Sequence, residues 1–211
     1  MATYTTNFSS WSDFEDRIAA FQDYEDSYAY QAVQNVAADL TYDLFFADPY
    51  SYTFSATSIT AYYYGATAHL YGSNFGTASA TVTRADITNG TYTLVLKGSV
   101  NVGGVNPTGT ITSLDLSGGG YSEHAVGQIP LSGLNGVFNS WSNTYPTALG
   151  SLTLAGTGTR TVSSSGNTTT TYSAISLADG AGNTTSLSGL KFTISDNSST
   201  PVDYVELMRS L

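Results

Sequence analysis

The sequence predicts a mainly β protein: an antiparallel β-sandwich or an irregular β-solenoid with a short helical N-terminal segment. Three observations carry that expectation. Runs such as Thr91–Leu96 and Thr108–Leu116 largely alternate polar and apolar residues, the period of a strand with one buried face. Turn signals at Asn89-Gly90, Gly103-Gly104 and Gly118-Gly119-Gly120 punctuate these runs. A leucine-x-glycine unit recurs at Leu70-Tyr71-Gly72, Leu96-Lys97-Gly98, Leu131-Ser132-Gly133, Leu154-Ala155-Gly156 and Leu187-Ser188-Gly189. Glycine weakens a strand unless it marks a bulge, a bend or a close backbone approach. The recurrence therefore predicts a repeated bend, in paired hairpins or in the turns of a solenoid.

The elements follow in order. Residues 2–9, with Tyr4 and Phe8, read as a terminal strand. Ser12-Asp13-Phe14-Glu15 fits a capping box, and Phe14, Ile18 and Phe21 follow at helical spacing, so a helix is expected from Asp13 to Tyr24 with Trp11 as its staple. Tyr28, Ala32, Val36 and Leu40 share one face of a second helix, Ser27 to Leu40. From Thr41 the period shortens to two: Tyr42, Leu44 and Phe46, then Tyr50, Tyr52 and Phe54, on either side of Asp48-Pro49. Ile59–Tyr64 continues as strand, and Asn89-Gly90 joins Val82–Ile87 to Tyr92–Leu96 as a hairpin. Leu134–Leu149 interrupts the pattern, because Val137, Phe138, Trp141 and Tyr145 predict a short helix ending before Pro146. Residues 160–178 form a hairpin around Ser165-Gly166-Asn167, Asp179–Asn183 reads as a turn, and the alternating segment Val202–Leu211 closes the chain. Residues 1–50 are thus an acidic, partly helical segment and residues 51–211 a β-rich domain, together one compact unit.

Composition bounds the function. The chain has 211 residues, 41% of them hydrophobic and only 10% charged, with a net charge of −10. The first fifty residues hold nine of the sixteen carboxylates and one of the six basic residues. Such a balance excludes a basic nucleic-acid footprint and opposes binding to an anionic membrane surface. No apolar run approaches the length of a spanning helix, so no membrane insertion is expected. The absence of cysteine excludes disulfides, thiolate metal sites and a cysteine nucleophile. Met1–Thr6 has neither a basic start nor an apolar core, so no cleavable N-terminal address is expected. Strands this poor in charge leave their edges unguarded against pairing with other chains.

An acidic Thr/Ser/Gly/Asn-rich β body without cysteine, a start without a signal peptide and an acidic-apolar tail at Val202–Leu211 resemble the proteins exported by bacterial type I secretion. His69–Phe75 and Gly109–Leu116 are similar to the strand phrases of such proteins. The glycine-aspartate nonapeptide of calcium rolls is missing; Gly118–Glu123 lacks the required aspartate. The resemblance implies an extracellular or cell-surface location. Within that group, Leu40–Phe45 is similar to the haem-ligand strand of secreted haemophores. That likeness implies Tyr42 as an iron ligand, with His69 or His124 as a second one.

The residues point first to an extracellular structural subunit, without cofactor or enzymatic activity, that assembles with its own copies into a filament or surface layer by strand addition. Tyr4 and Phe8 at one end, and Tyr204, Val205 and Leu207 at the other, are the candidate donor residues. The alternative is a secreted binding protein: a haem carrier using Tyr42 and His69, or an adhesin reading glycans through Tyr62–Tyr64. No Gly-x-Ser-x-Gly elbow supports a hydrolase.

Overall fold

A computed structural model describes residues 3–45, 47–104, 107–131, 137–162 and 168–196. The mainly β class and the short helical N-terminal segment are as expected. Among the described residues, twelve antiparallel strands form one open sheet and two helices lie near the N-terminus. A short strand β1 (Thr3–Thr6) leads into α1 (Trp11–Glu25) and α2 (Tyr28–Phe45). A meander follows: β2 (Ser51–Phe54), β3 (Ser58–Tyr63), β4 (Ala66–Ser73), β5 (Thr81–Thr88), β6 (Tyr92–Asn101) and β7 (Thr108–Gly118). It continues through β8 (Tyr121–Pro130), β9 (Val137–Thr147), β10 (Gly150–Val162), β11 (Thr168–Asp179) and β12 (Thr184–Asp196). Each meander strand pairs with its sequence neighbours, and β1 returns to pair with β12, so the spatial order runs β1-β12-β11 through to β3-β2.

Cross-strand pairing turns the alternating sequence into rows. One row on the helix-bearing face reads Phe54, Ile59, Leu70, Ala85, Leu96, Leu114, Ala125, Trp141, Gly156, Ile175, Leu187 and Tyr4. The next includes Ala68, Ile87, Leu94, Leu116, Leu154 and Leu177, all buried. Burying a leucine or isoleucine so completely contributes roughly 1.5–3 kcal/mol. The helices cover this face: α1 lies against β9, and α2 against β4, β5 and β6. Phe14, Ile18 and Phe21 of α1 and Val33 and Leu40 of α2 complete the core.

The leucine-x-glycine repeat has a structural meaning, though with an amended membership. Gly72, Gly98, Gly127, Gly158 and Gly189 sit one to an even-numbered strand from β4 to β12, where the ladder slips register. Leu70, Leu96 and Leu187 precede their glycines as the repeat predicts. Gly156 lies two residues before the bend at Gly158, and Leu131-Ser132-Gly133 runs outside the described residues. Opposite these glycines the odd-numbered strands each carry an extra, unpaired residue: Thr83, Thr112, Asn139 and Ser173. The Thr83 hydroxyl donates to the Tyr71 carbonyl (3.2 Å), Thr112 to Lys97 (3.3 Å) and Ser173 to Thr157 (3.1 Å). Each accepting carbonyl belongs to the residue just before a seam glycine. A Cβ at Gly72, Gly98 or Gly158 would collide with the backbone carbonyl of Thr81, Thr110 or Thr171 respectively. These threonines begin a repeated phrase, Thr81-Val82-Thr83, Thr110-Ile111-Thr112 and Thr171-Tyr172-Ser173, whose middle residue is buried. Bulges bend and twist strands, so a seam at one height curves the whole sheet.

Four sequence expectations are corrected. The first helix starts two residues before the expected Asp13, because the Ser10 hydroxyl accepts the Asp13 N–H (3.1 Å) and caps it. Trp11 therefore lies inside the helix and packs on Phe14, ring centroids 5.2 Å apart. The second helix runs past Leu40 to Phe45, so Tyr42 is helical. Val33, Val36, Ala37, Leu40 and Leu44 keep the 3.6-residue period and meet the core, whereas a short run such as Tyr42-Leu44-Phe46 fits either period. The segment expected as a helix before Pro146 is strand β9, where Trp141, Asn143 and Tyr145 alternate toward the helices between two ladders. The segment around Asp179 is a turn as expected: its carboxylate accepts from Ala181 and Asn183 N–H groups (3.0 and 2.8 Å). Burial alone would push that carboxyl up, but these bonds and Arg17 (3.4 Å) hold it below its ordinary range.

The seam makes a graded prediction for urea unfolding. Gly98→Ala must displace a neighbouring strand and is expected to cost about 2–3 kcal/mol. Gly90→Ala meets only open space in a hairpin turn with φ +88°, and is expected to cost about 1 kcal/mol. Equal losses at the two positions would remove the steric account of the seam.

Candidate functional site

Strand edges form by default in a sheet that does not close, and among the described residues this one ends in two. The edge strand β1 reads Thr3-Tyr4-Thr5-Thr6 and the edge strand β2 reads Ser51-Tyr52-Thr53-Phe54. All eight residues are exposed and none is charged or proline, so neither edge carries the usual guards against pairing. Both edges present matching chemistry on matching faces. Tyr4 (52% exposed) and Thr6 lie on the helix-bearing face of β1, as do Tyr52 and Phe54 (both 61%) on β2. The opposite face carries Thr3 and Thr5 on β1 and Ser51 and Thr53 on β2.

Of the expected assembly residues, Tyr4 is exposed on the β1 edge among the described residues. Its strand already pairs within the chain, to Thr185–Ser188 of β12, with the Thr6 and Thr185 hydroxyls 2.8 Å apart. Phe8 instead turns inward and packs edge-on against Phe14, centroids 5.7 Å apart. Tyr204, Val205 and Leu207 lie outside the described residues. The β2 edge, which the sequence reading did not select, is accompanied by an aromatic cluster: Tyr50 lies 5.3 Å from Tyr64 and 6.4 Å from Tyr62. Its signal was present in the alternation of Tyr50, Tyr52 and Phe54.

Beside β2, on the helix-bearing face, lies an apolar cavity of about 380 Å³. Leu44 and Pro49 form one wall, Tyr52 and Tyr63 another, and Leu70 and Leu96 belong to its floor. The volume suits a small ligand. The candidate haem ligands do not meet there. Tyr42 projects from the exposed side of α2, and His69 lies on the far face of the sheet with Nδ1 3.1 Å from the Thr60 hydroxyl. The sheet separates them. No group of three or more His, Cys, Asp or Glu side chains suited to a metal ion occurs among the described residues.

That far face carries a mainly polar row: Thr60, His69, Asp86, Val95, Asp115, His124 and Ser142. Asp115 and His124 Nδ1 are hydrogen-bonded, and Ser142 is the next cross-strand neighbour. The order resembles an acyl-transfer triad, but the geometry opposes that use. The Asp115 and His124 side chains are solvated, and strand β9 around Ser142 is paired on both sides. Its N–H groups serve ladders and do not converge on a developing oxyanion.

A further titratable group sits where the helices meet the sheet. Tyr145 packs edge-on against Phe21, Tyr24 and Tyr121 at centroid distances of 4.8, 5.9 and 5.7 Å. Burial pushes the Tyr121 and Tyr145 hydroxyls far above the ordinary range. Burial, and then the neighbouring Asp26, raise the Glu25 carboxyl from its ordinary 4.5 to about 7. No helix in the described residues is long and apolar enough to cross a membrane. Comparison with protein-family models, curated proteins and solved structures finds no match to this chain.

The raised Glu25 carboxyl fixes the sign of a pH effect. The folded state holds this proton more tightly than the unfolded chain, so its contribution is complete below about pH 4.5 and is lost as pH rises through about 7. Glu25→Gln should leave the urea midpoint nearly unchanged at pH 4. At pH 8 it should stabilise by about 1 kcal/mol, allowing for solvent screening of a partly exposed carboxylate. Parallel stability curves for the two proteins across that range would show the carboxyl to be unperturbed.

Proposed function

We propose that the protein is an extracellular structural subunit that assembles with its own copies into a filament or surface layer by strand addition at its sheet edges. The observation that carries this reading is the pair of uncharged edge strands, β1 and β2, with exposed aromatics on the same face. An edge offers unpaired N–H and C=O groups, and a second strand satisfies them while covering the adjacent side chains. The composition of the edges supports it too: neither β1 nor β2 contains a charged residue, so no like charges within the strands oppose their pairing. The extracellular placement rests on the resemblance to type I-secreted proteins.

A second reading, a secreted binding protein, is favoured by the apolar cavity beside Tyr52 and by the aromatic group Tyr50, Tyr62 and Tyr64. The cavity suits a compact apolar ligand and the aromatic group a sugar ring.

The assembly reading is tested by light scattering and negative-stain electron microscopy over a range of concentrations. Wild-type protein should grow into elongated oligomers. Thr53→Lys, which puts a charge on the β2 edge, should remain monomeric with an unchanged circular dichroism spectrum. Wild-type protein that stays monomeric throughout would overturn the proposal and direct attention to the cavity.

A further inference from the structure

The two edges fit each other, and the pairing pattern of the sheet says how. Among the described residues the sheet holds an even number of strands, all antiparallel, so its edge strands β1 and β2 run in opposite directions. A copy placed beside another in the same orientation therefore meets it antiparallel, β1 against β2. The alternation of strand direction continues without a break.

The side-chain rows select the register. Phe54 begins and Tyr4 ends the helix-face row that contains Leu70, Leu96 and Leu187. Thr53 begins and Thr5 ends the polar row that contains His69 and His124. Tyr52 and Thr6 bound the row that contains Ile87 and Leu94. When Thr5 lies opposite Thr53 of the next copy, Tyr4 meets Phe54 and Thr6 meets Tyr52, and all three rows run on into the next copy. A slip of one residue would set aromatic side chains against the threonine face.

We infer that copies of this chain join head to tail, β1 of one beside β2 of the next, with Thr5 opposite Thr53 and Tyr4 packed on Phe54. This inference rests on the assembly reading and specifies its junction. Aromatic cross-strand pairs stabilise such contacts, and threonine opposite threonine continues the polar face. The Tyr4 ring is then delivered to the side of the sheet where Tyr52 borders the apolar cavity. Like-edge pairing, β2 on β2, closes after two copies and leaves each Tyr4 edge bare. The head-to-tail junction leaves one edge of each kind free and propagates.

The absence of cysteine makes the test direct. Thr5→Cys and Thr53→Cys chains are prepared separately, checked by circular dichroism and thermal melting, and oxidised mildly alone and mixed. Directly opposed strand residues lie within the Cα separation that a disulfide spans. The mixture should yield roughly tenfold or more covalent dimer than either chain alone, since the junction raises the local thiol concentration. The chain carrying both substitutions should give a ladder of covalent oligomers. Dimer from Thr53→Cys alone, matching the mixture, would establish like-edge pairing and overturn the junction while leaving assembly intact. Oligomers by light scattering without any cross-link would place the contact elsewhere and also overturn it. Wild-type chains that scatter only as monomers would remove the assembly reading itself.

Discussion

The glycine seam is the constraint on which the rest of the structure depends. At Gly72, Gly98 and Gly158 the backbone of one strand approaches a threonine carbonyl of the next so closely that no side chain fits. The extra residue opposite returns a hydroxyl to the carbonyl just before the glycine. A backbone group released by a slipped ladder would otherwise lack a partner in a half-buried sheet, so the hydroxyl offsets the cost of the bulge. Because the device recurs at one height, its local bends act together. A sheet of this width must curve to wrap its apolar face around only two helices.

The helices occupy that face unevenly. The contact of α1 with β9 is held by Phe21 against Tyr145. From the middle of α1, Arg17 reaches the Leu149 carbonyl (2.7 Å) and the buried Asp179, tying the helix to two turns of the sheet. The segment α2 covers β4 to β6 and ends at Phe45, short of β2. The apolar rows continue past the end of α2, and the cavity beside Tyr52 opens there. One geometric fact, a sheet wider than its helical cover, thus accounts for both the cavity and the exposed aromatics of β2.

Low charge and open edges belong together in this chain. A surface built from threonine and serine favours extended backbone but does not repel another strand, and nine of the sixteen carboxylates lie in the first fifty residues. The edge strands themselves carry no charge. The hydrogen-bonded Asp115 and His124 on the far face lie on a ladder open to water, which does not suit catalysis.

The sequence by itself determined the β class, the N-terminal helices, the Asn89-Gly90 hairpin and the Asp179 turn, because each is written in local periodicity or turn chemistry. It also showed glycine following an inward residue at a recurring interval, which marked the bend at Leu70, Leu96 and Leu187. It could not show that Ala125 and Gly156 hold the same place in the row, since position across a sheet depends on register, which no local pattern carries. Residues 41–45 and 137–145 were misread for a related reason. A few aromatic and apolar positions fit two periods, and the choice fell to neighbours distant in sequence: the core under α2 in one case, and the ladders of β8 and β10 in the other. Tyr4 was visible as an edge residue. That β2 is its counterpart, with Phe54 and Thr53 beginning the rows that Tyr4 and Thr5 end, was decided only by the tertiary structure, because an edge exists only once every other strand has found its partners.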